Sequence, residues 1–492
     1  MPLPDAARLR PALPYGFARQ HGVILTEDPA GPLCLHRSGA GLSALLEAQR
    51  LAAAPLRFES LAAEAFEARL AGLYRDNASD ASDAAGADGG LATLADNTAV
   101  VDDLLDQSED APVVRLINAL LLEAIKENAS DIHIETQERR LSIRFRIDGT
   151  LRDMVEPKRT LAPLLVSRIK VMARLDIAEK RLPQDGRVSL RVGGHEVDVR
   201  VSTIPSQYGE RVVLRILDRG ATRLGLDRLG MSRRDAEVFG QLLSRPDGML
   251  LVCGPTGSGK TTTLYAALDR LNDKSRNIMT VEDPLEYSVD GIAQMQVSPR
   301  TDLSFARGLR AILRQDPDVI MVGEIRDRET AQVAVESAMT GHFVLSTLHT
   351  NTAVGAVSRL IDMGVERFLL APMLVGVVAQ RLVRRLCPGC RRSDQASQAD
   401  LAQIAGLEPG EPLFRAVGCP ACQGHGYRGR LGLYEVVAVS RQIEALIHAG
   451  ASEAELAGAA RLAGASLLAD GLRQIRAGQT SVEEVARVAQ EV

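Results

Sequence analysis

The spacing of apolar residues changes several times along the chain, and each change predicts a different kind of element. Over 113–124 apolar positions recur at helical spacing, which predicts an amphipathic helix. Over 131–135 and 141–147 they alternate with polar ones, as in strands with one face buried. Asp148 and Gly149 stand between Ile147 and Leu151 and predict a hairpin turn. A second hairpin is predicted from 188–192 and 196–201 around Gly193 and Gly194, with a further strand at 211–217. Together these elements describe a small α+β domain.

Beyond residue 223 the pattern differs. Short, mainly apolar runs at 249–253, 278–281, 319–322 and 343–348 predict buried strands, the first followed by a helix over 261–271. Strands that alternate with helices predict a largely parallel α/β sheet. Near the start, helical stretches are predicted at 42–51 and 61–70. The last helix is expected to open at Thr480, with Glu483 in capping-box spacing. Residues 76–90 are small, acidic or amide, with no large apolar side chain to build a core, so 76–97 is expected as a flexible linker.

Composition sets outer bounds. At 492 residues the chain is too long for one core and predicts three or more domains. A net charge of -5 argues against a protein whose main partner is bulk nucleic acid. Aromatic residues make up only 3%, too few for the stacking channel of a nucleic-acid motor. The first residues carry no basic start before an apolar core, so no secretory signal is expected. The longest apolar run, 368–379, falls short of a membrane span, so any membrane role is expected to come through a partner. Four of the six cysteines form two CxxC pairs, leaving Cys34 and Cys253. That usage predicts a cytosolic, metal-binding protein rather than a disulfide-bonded one.

The densest chemistry lies at Gly254, Pro255, Thr256, Gly257, Ser258, Gly259, Lys260 and Thr261, between a predicted strand and a predicted helix. Glycines there let backbone N–H groups turn toward phosphate, and the helix N-terminus adds a favourable field. Lys260 would reach the outer phosphate oxygens, Thr261 would ligate Mg²⁺, and Thr262 continues the first helical turn. Acids to hold Mg²⁺ and the attacking water are expected at neighbouring strand ends, with Glu282, Asp283 and Glu324 the candidates for Mg²⁺. Glu282, Asp283 and Glu286 follow one apolar run, and Gly323 and Glu324 follow another, with Gly323 where an Asp commonly closes the strand. Which of Glu324 and Glu282 orients the attacking water is left open by the pattern. His349, between two strand-end threonines, is a candidate γ-phosphate sensor, whereas His342 reads as structural.

Cationic partners for the transition state have candidates in Arg310, Arg314 and Arg326 near the second acid, and in Arg200 and Arg215 on strands of the α+β domain. Cys387, Cys390, Cys419 and Cys422 supply four thiolates suited to tetrahedral structural Zn²⁺, although 28 residues separate the pairs. Arg391, Arg392 and Arg428 stand near these cysteines in the sequence and are expected to favour thiolate formation.

The ordered set 254–261, 280–286, 323–327 and 340–349 followed by the two cysteine pairs resembles the secretion ATPase superfamily, and within it the type II secretion ATPases of the GspE family. The segments 13–25, 129–135, 198–203 and 209–215 are similar to that family's first two domains. The resemblance implies a RecA-like P-loop ATPase domain at 223–492 with a zinc module at about 383–430. A small PAS-like α+β domain at 98–222 and an N-terminal docking domain at 1–75 would precede it. It implies a hexameric motor that uses ATP, Mg²⁺ and Zn²⁺ to drive pseudopilus assembly and protein export. It further implies a ring on the cytoplasmic face of the inner membrane, docked on the cytoplasmic part of GspL with GspF at the centre. Arg200 and Arg215 would then approach the γ-phosphate from the second domain. The alternative is a type IV pilus extension ATPase, which shares the motifs from the loop to the cysteines; a nucleotide-switched scaffold without turnover is the rival of another class.

Overall fold

The computed structural model describes residues 112–192, 195–218 and 225–489, together with 21–28, 31–52, 56–63 and the single positions 13, 18, 65, 66, 69 and 70. The expected linker at 76–97, the Gly193–Gly194 turn and the expected domain boundaries at 75, 97 and 222 lie outside the described residues. The chain divides into two compact units: Met1–Ile147 with Leu151–Ile216, and Asp148–Thr150 with Leu217–Val492.

In the first unit, β1 (Val23–Asp28), β2 (Gly31–Arg37) and β3 (Arg57–Leu61) form a three-stranded sheet, with α1 (Leu42–Leu51) between β2 and β3. The period-two alternation divides its side chains. Val23, Leu25 and Cys34 pack on Ala44 and Ala48 of α1, while Ile24 and Leu35 pack with Phe66 and Leu70. The helix at 42–51 stands where periodicity predicts it. At 61–70 the expectation is corrected in part: Leu61 ends a strand, and helix begins only beyond it. Residues 57–61 are largely exposed, so their pairing with β2, rather than an apolar signal, makes them a strand.

The same unit holds a six-stranded sheet. Its helices are α2 (Pro112–Lys126) and α3 (Ala162–Met172). Its strands are β4 (Ala129–Thr136), β5 (Leu141–Ile147), β6 (Thr150–Val155), β7 (Gln184–Val192), β8 (His195–Ser206) and β9 (Gly209–Asp218), in the order β6-β5-β4-β9-β8-β7. Leu116, Leu120, Leu165 and Ile169 of the helices bury Ile132, Phe145, Val199 and Leu214 of the sheet. Alternation then sends Asp131, Arg200, Arg211 and Arg215 to the opposite, polar face.

The second unit is built on a seven-stranded sheet. After α4 (Arg233–Leu243) come β10 (Gly248–Cys253), α5 (Lys260–Leu271), β11 (Ile278–Glu282), β12 (Ala293–Gln296), α6 (Phe305–Ile312) and β13 (Val319–Val322). Then follow α7 (Arg328–Met339), β14 (Phe343–Leu348), α8 (Ala353–Asp362), α9 (Arg367–Met373) and β15 (Leu374–Leu386). The strand order is β12-β11-β13-β14-β10-β15, parallel throughout, closed by antiparallel β18 (Tyr427–Ala438), with β16 (Arg392–Gln395) and β17 (Pro412–Arg415) forming a separate hairpin. This is the expected α/β class with a mainly parallel sheet.

Three strands of this sheet, β12, β15 and β18, go beyond those the apolar pattern predicts. The apolar run 368–379 is divided between a helix containing Pro372 and the start of β15, because its pattern suits either state and the slot beside β10 decides. The last helix, Val482–Ala489, opens one residue later than expected. Ser481 accepts from the Glu484 N–H, while Thr480 donates instead to the Arg384 carbonyl at 2.8 Å.

Candidate nucleotide site and tetracysteine cluster

Parallel pairing sets the carboxyl ends of β10, β11, β13 and β14 along one edge of the sheet, where loops of open α/β sheets gather their ligands. The glycine loop leaves β10 there and enters α5. Gly254, Gly257 and Gly259 have φ of 152°, 80° and 89°, a region costly for side-chain-bearing residues. Lys260 is buried at the helix start, and its Nζ donates to the carbonyls of Gly254 (2.7 Å) and Pro255 (3.0 Å). Burial, offset in part by the Glu324 carboxylate, pushes its pKa down to about 8.

A cavity of about 350 Å³ opens over the loop, lined by Thr256 through Thr262 and by acids from both strand ends. The Ser258 hydroxyl is buried against this cavity and has no hydrogen-bond partner. An orphaned donor and a buried lysine at a helix N-terminus fit a phosphate chain, and Thr261 lies exposed at the mouth for a divalent cation.

The two acidic strand ends behave differently. Glu282 is 3% exposed, and its oxygens accept from Tyr265 Oη (2.5 Å), Thr280 Oγ1 (2.6 Å) and Gln294 Nε2 (3.2 Å). Burial and then the Glu282 charge raise the Tyr265 hydroxyl well above the ordinary phenol range, which keeps it a donor. Asp283 is exposed and Glu286 half-buried, and both line the cavity.

Glu324 also lines it, held by Arg326 at 2.6 Å and approached by His349 Nε2 at 3.3 Å. Gly323 donates its N–H to the Val281 carbonyl at 2.8 Å, and a Cβ there would sit 3.4 Å from the Glu282 backbone, so glycine lets the two strand ends lie close. Of the other cations, Arg310 pairs with Glu329 (2.6 Å), and Arg314 donates to the Arg310 carbonyl (2.9 Å). His342 is tied to the Ser337 carbonyl at 2.9 Å, the structural role its place suggests.

Of the cavity residues, Glu286 is one of the acids expected at a strand end, whereas Arg430 and Leu382 are among those with no role assigned by sequence pattern. Glu286 has a usable signal in its spacing after Glu282, whereas the other two arrive on β15 and β18, which the pattern does not reveal. In the other unit, Arg200 and Arg215 share the polar face of the six-stranded sheet. Arg215 Nε donates to Asp131 at 2.9 Å, while its side chain remains 61% exposed.

The four cysteine sulfurs lie within 4.8 Å of one another. The 28-residue spacing closes because 391–418 forms the β16–β17 hairpin, pinned by Arg415 to Asp394 (2.9 Å) and Asp400 (2.5 Å). Backbone N–H groups of Gly418 and Gly426 point at Cys390 Sγ (3.3 Å) and Cys422 Sγ (3.1 Å), a donor set that suits thiolates around Zn²⁺. Arg391 does not serve the sulfurs as expected. It stacks 4.8 Å over Phe414 and donates to the Gly478 carbonyl. Among the described residues no helix is long and apolar enough to cross a membrane.

Residues 106–487 match the family model described as Type II/IV secretion system protein, and 12–74 match a model of an N-terminal domain described under GSPII protein E. "Type II secretion system protein E" of Pseudomonas aeruginosa is 56% identical over 500 residues, covering 100% of this chain and 99% of that protein. "Type II secretion system ATPase E" of Vibrio cholerae is 52% identical, covering 97% of each. Among solved structures, the pilus retraction motor PilT with bound ADP is 27% identical, with a TM-score of 0.52 over 76% of this chain and 98% of that one. The Legionella pneumophila ATPase DotB, 21% identical with a TM-score of 0.58 over 77% of this chain and 96% of its own, shares the fold.

Proposed function

The chain belongs to the type II secretion system protein E family, and we propose that it hydrolyses ATP at the 350 Å³ cavity as the motor of that system. One observation carries the reading: a glycine loop with a buried lysine and an orphaned serine hydroxyl faces four carboxylates, Glu282, Asp283, Glu286 and Glu324, across one cavity. The loop residues Gly254 to Thr262 hold the phosphates through backbone N–H groups. Lys260 exchanges its bonds to the Gly254 and Pro255 carbonyls for phosphate oxygens. Mg²⁺, when bound, neutralises phosphate charge, with Thr261, Asp283 and Glu324 as its candidate holders, directly or through water.

Glu324 orients the attacking water, and His349 beside it answers to the γ-phosphate. Glu282, a candidate for catalysis and Mg²⁺ by its place at a strand end, is assigned here to positioning, because Tyr265, Thr280 and Gln294 already occupy its oxygens. Arg200 and Arg215 serve as arginine fingers in a homo-hexamer, a role supported by the family resemblance and by the exposure of Arg215. Zn²⁺ held by Cys387, Cys390, Cys419 and Cys422 joins the two cysteine knuckles and takes no part in catalysis.

The N-terminal domain docks on the cytoplasmic part of GspL, with GspF at the ring centre, so the protein works at the cytoplasmic face of the inner membrane. The exposed apolar pair Leu42 and Leu46 on α1, 72% and 61% accessible, offers a docking face. The pilus extension alternative is less favoured, since the family match over residues 12–74 and the full-length type II relatives both point to secretion.

Phosphate release by the full chain tests the reading. Lys260→Ala should abolish turnover, and a variant that hydrolyses ATP at the wild-type rate refutes the site. Elemental analysis should find about one Zn per chain, lost in Cys390→Ser. Leu42→Asp/Leu46→Asp should lose capture of the GspL cytoplasmic domain.

A further inference from the structure

Behind the phosphate loop lies a buried polar chain that the hydrolysis scheme does not use. Gln380, on β15, is 1% exposed, and Thr263 of α5 and Tyr434 of β18 are buried beside it. Thr263 Oγ1 donates to Gln380 Oε1 at 2.8 Å. Gln380 Nε2 donates to Tyr434 Oη at 3.3 Å, and Tyr434 Oη donates in turn to the Leu229 carbonyl at 3.2 Å. All donors point one way, so one geometry satisfies the whole chain. A shift at either end leaves a buried polar group unpaired.

Gln380 also sets both ends of the loop. A Cβ on Gly254 would meet the Gln380 carbonyl at 2.5 Å, and one on Gly259 would meet Gln380 Nε2 at 2.8 Å. These are the first and last glycines of the phosphate motif, so the loop is fitted against this one residue. At the far end, Leu229 and Gly230 belong to the segment that opens the described part of the nucleotide unit. Gln474 Nε2 and Arg473 Nη2 fasten it further by donating to the Gly230 carbonyl at 3.3 and 3.2 Å.

We propose that Gln380 is a positioning residue for the phosphate loop and that the Thr263–Gln380–Tyr434–Leu229 chain couples the loop's setting to the segment 225–230. The inference rests on the loop's being the nucleotide site. A small displacement of the loop on binding phosphate re-registers the amide, and the rigid tyrosine carries the change to the Leu229 carbonyl.

The test uses the full chain with ADP and Mg²⁺ as probe. Gln380→Leu alone leaves the buried Thr263 hydroxyl unpaired, so Thr263→Val/Gln380→Leu is the variant of choice, because replacing both partners by apolar groups spares stability. It should unfold near the wild-type temperature yet raise KM for ATP about tenfold, with kcat changed less than about threefold. Tyr434→Phe keeps the ring and breaks only the relay. In hydrogen exchange, ADP should protect 254–263 in both wild type and Tyr434→Phe, but should protect 225–230 in wild type alone. A wild-type KM in the double variant overturns the positioning role, and a wild-type response at 225–230 in Tyr434→Phe overturns the coupling. Wild-type protein that fails to bind ADP overturns the nucleotide reading itself.

Discussion

The ends of β11 and β13 look alike on paper, each an apolar strand running into acids, yet the fold treats them in opposite ways. Glu282 is sealed, with Tyr265, Thr280 and Gln294 donating to it. Glu324 faces the cavity beside His349, with Arg326 as its tether. A carboxylate that accepts three bonds from neighbouring donors is a structural acceptor, held in place by its partners. One that shares its oxygens with an exposed guanidinium and an imidazole 46% accessible can turn toward water or metal. Position at a strand end therefore does not decide whether a carboxylate is available; the supply of competing donors does. At the end of β11, Glu282 lines the cavity together with Asp283 and Glu286, which follow it in the chain.

The contrast is open to direct attack. The largest effect is expected at Glu324→Gln, which should lower kcat by about 10³-fold while ATP affinity stays near wild type. Full turnover by this variant would erase the distinction. Glu286→Gln should cost kcat about 10- to 100-fold, with a smaller loss of stability than at Glu282. Glu282→Gln should reverse that profile. Its loss is expected in stability, about 1–3 kcal/mol by denaturant unfolding, with kcat reduced less than about tenfold. A larger kcat loss at Glu282 than at Glu286 would invert the assignment.

The smallest effect is one of pH. Phosphate favours charged Lys260, whose pKa burial pushes down to about 8, so nucleotide affinity is full below that value and declines above it. Between pH 7.5 and 8.5 the Kd for ADP should rise roughly threefold, as measured by titration.

Much of this is legible in the residues alone. Mainly apolar runs locate β10, β11, β13 and β14, because strands covered on both faces need no polar alternation and leave a clear trace. The glycine loop is equally plain, since its backbone chemistry demands particular residues at fixed spacing. β15 and β18 are hidden. The apolar run at 368–379 is compatible with helix or strand, and only the open edge beside β10 resolves it. Gln380 and Arg430 are lost with those strands, lying more than a hundred residues from the loop they serve.

The amino-acid sequence alone established the class of sheet, the phosphate loop, the thiol set and the family, all written in local spacing and residue type. The fate of each polar group was settled elsewhere. Whether a carboxylate is sealed or available depends on which donors distant segments bring to it, and that is a property of packing. Tyr265 and Gln294 close Glu282, the β16–β17 hairpin closes the cysteine spacing, and Gln380 reaches the loop, only because the sheet and its helices place them there.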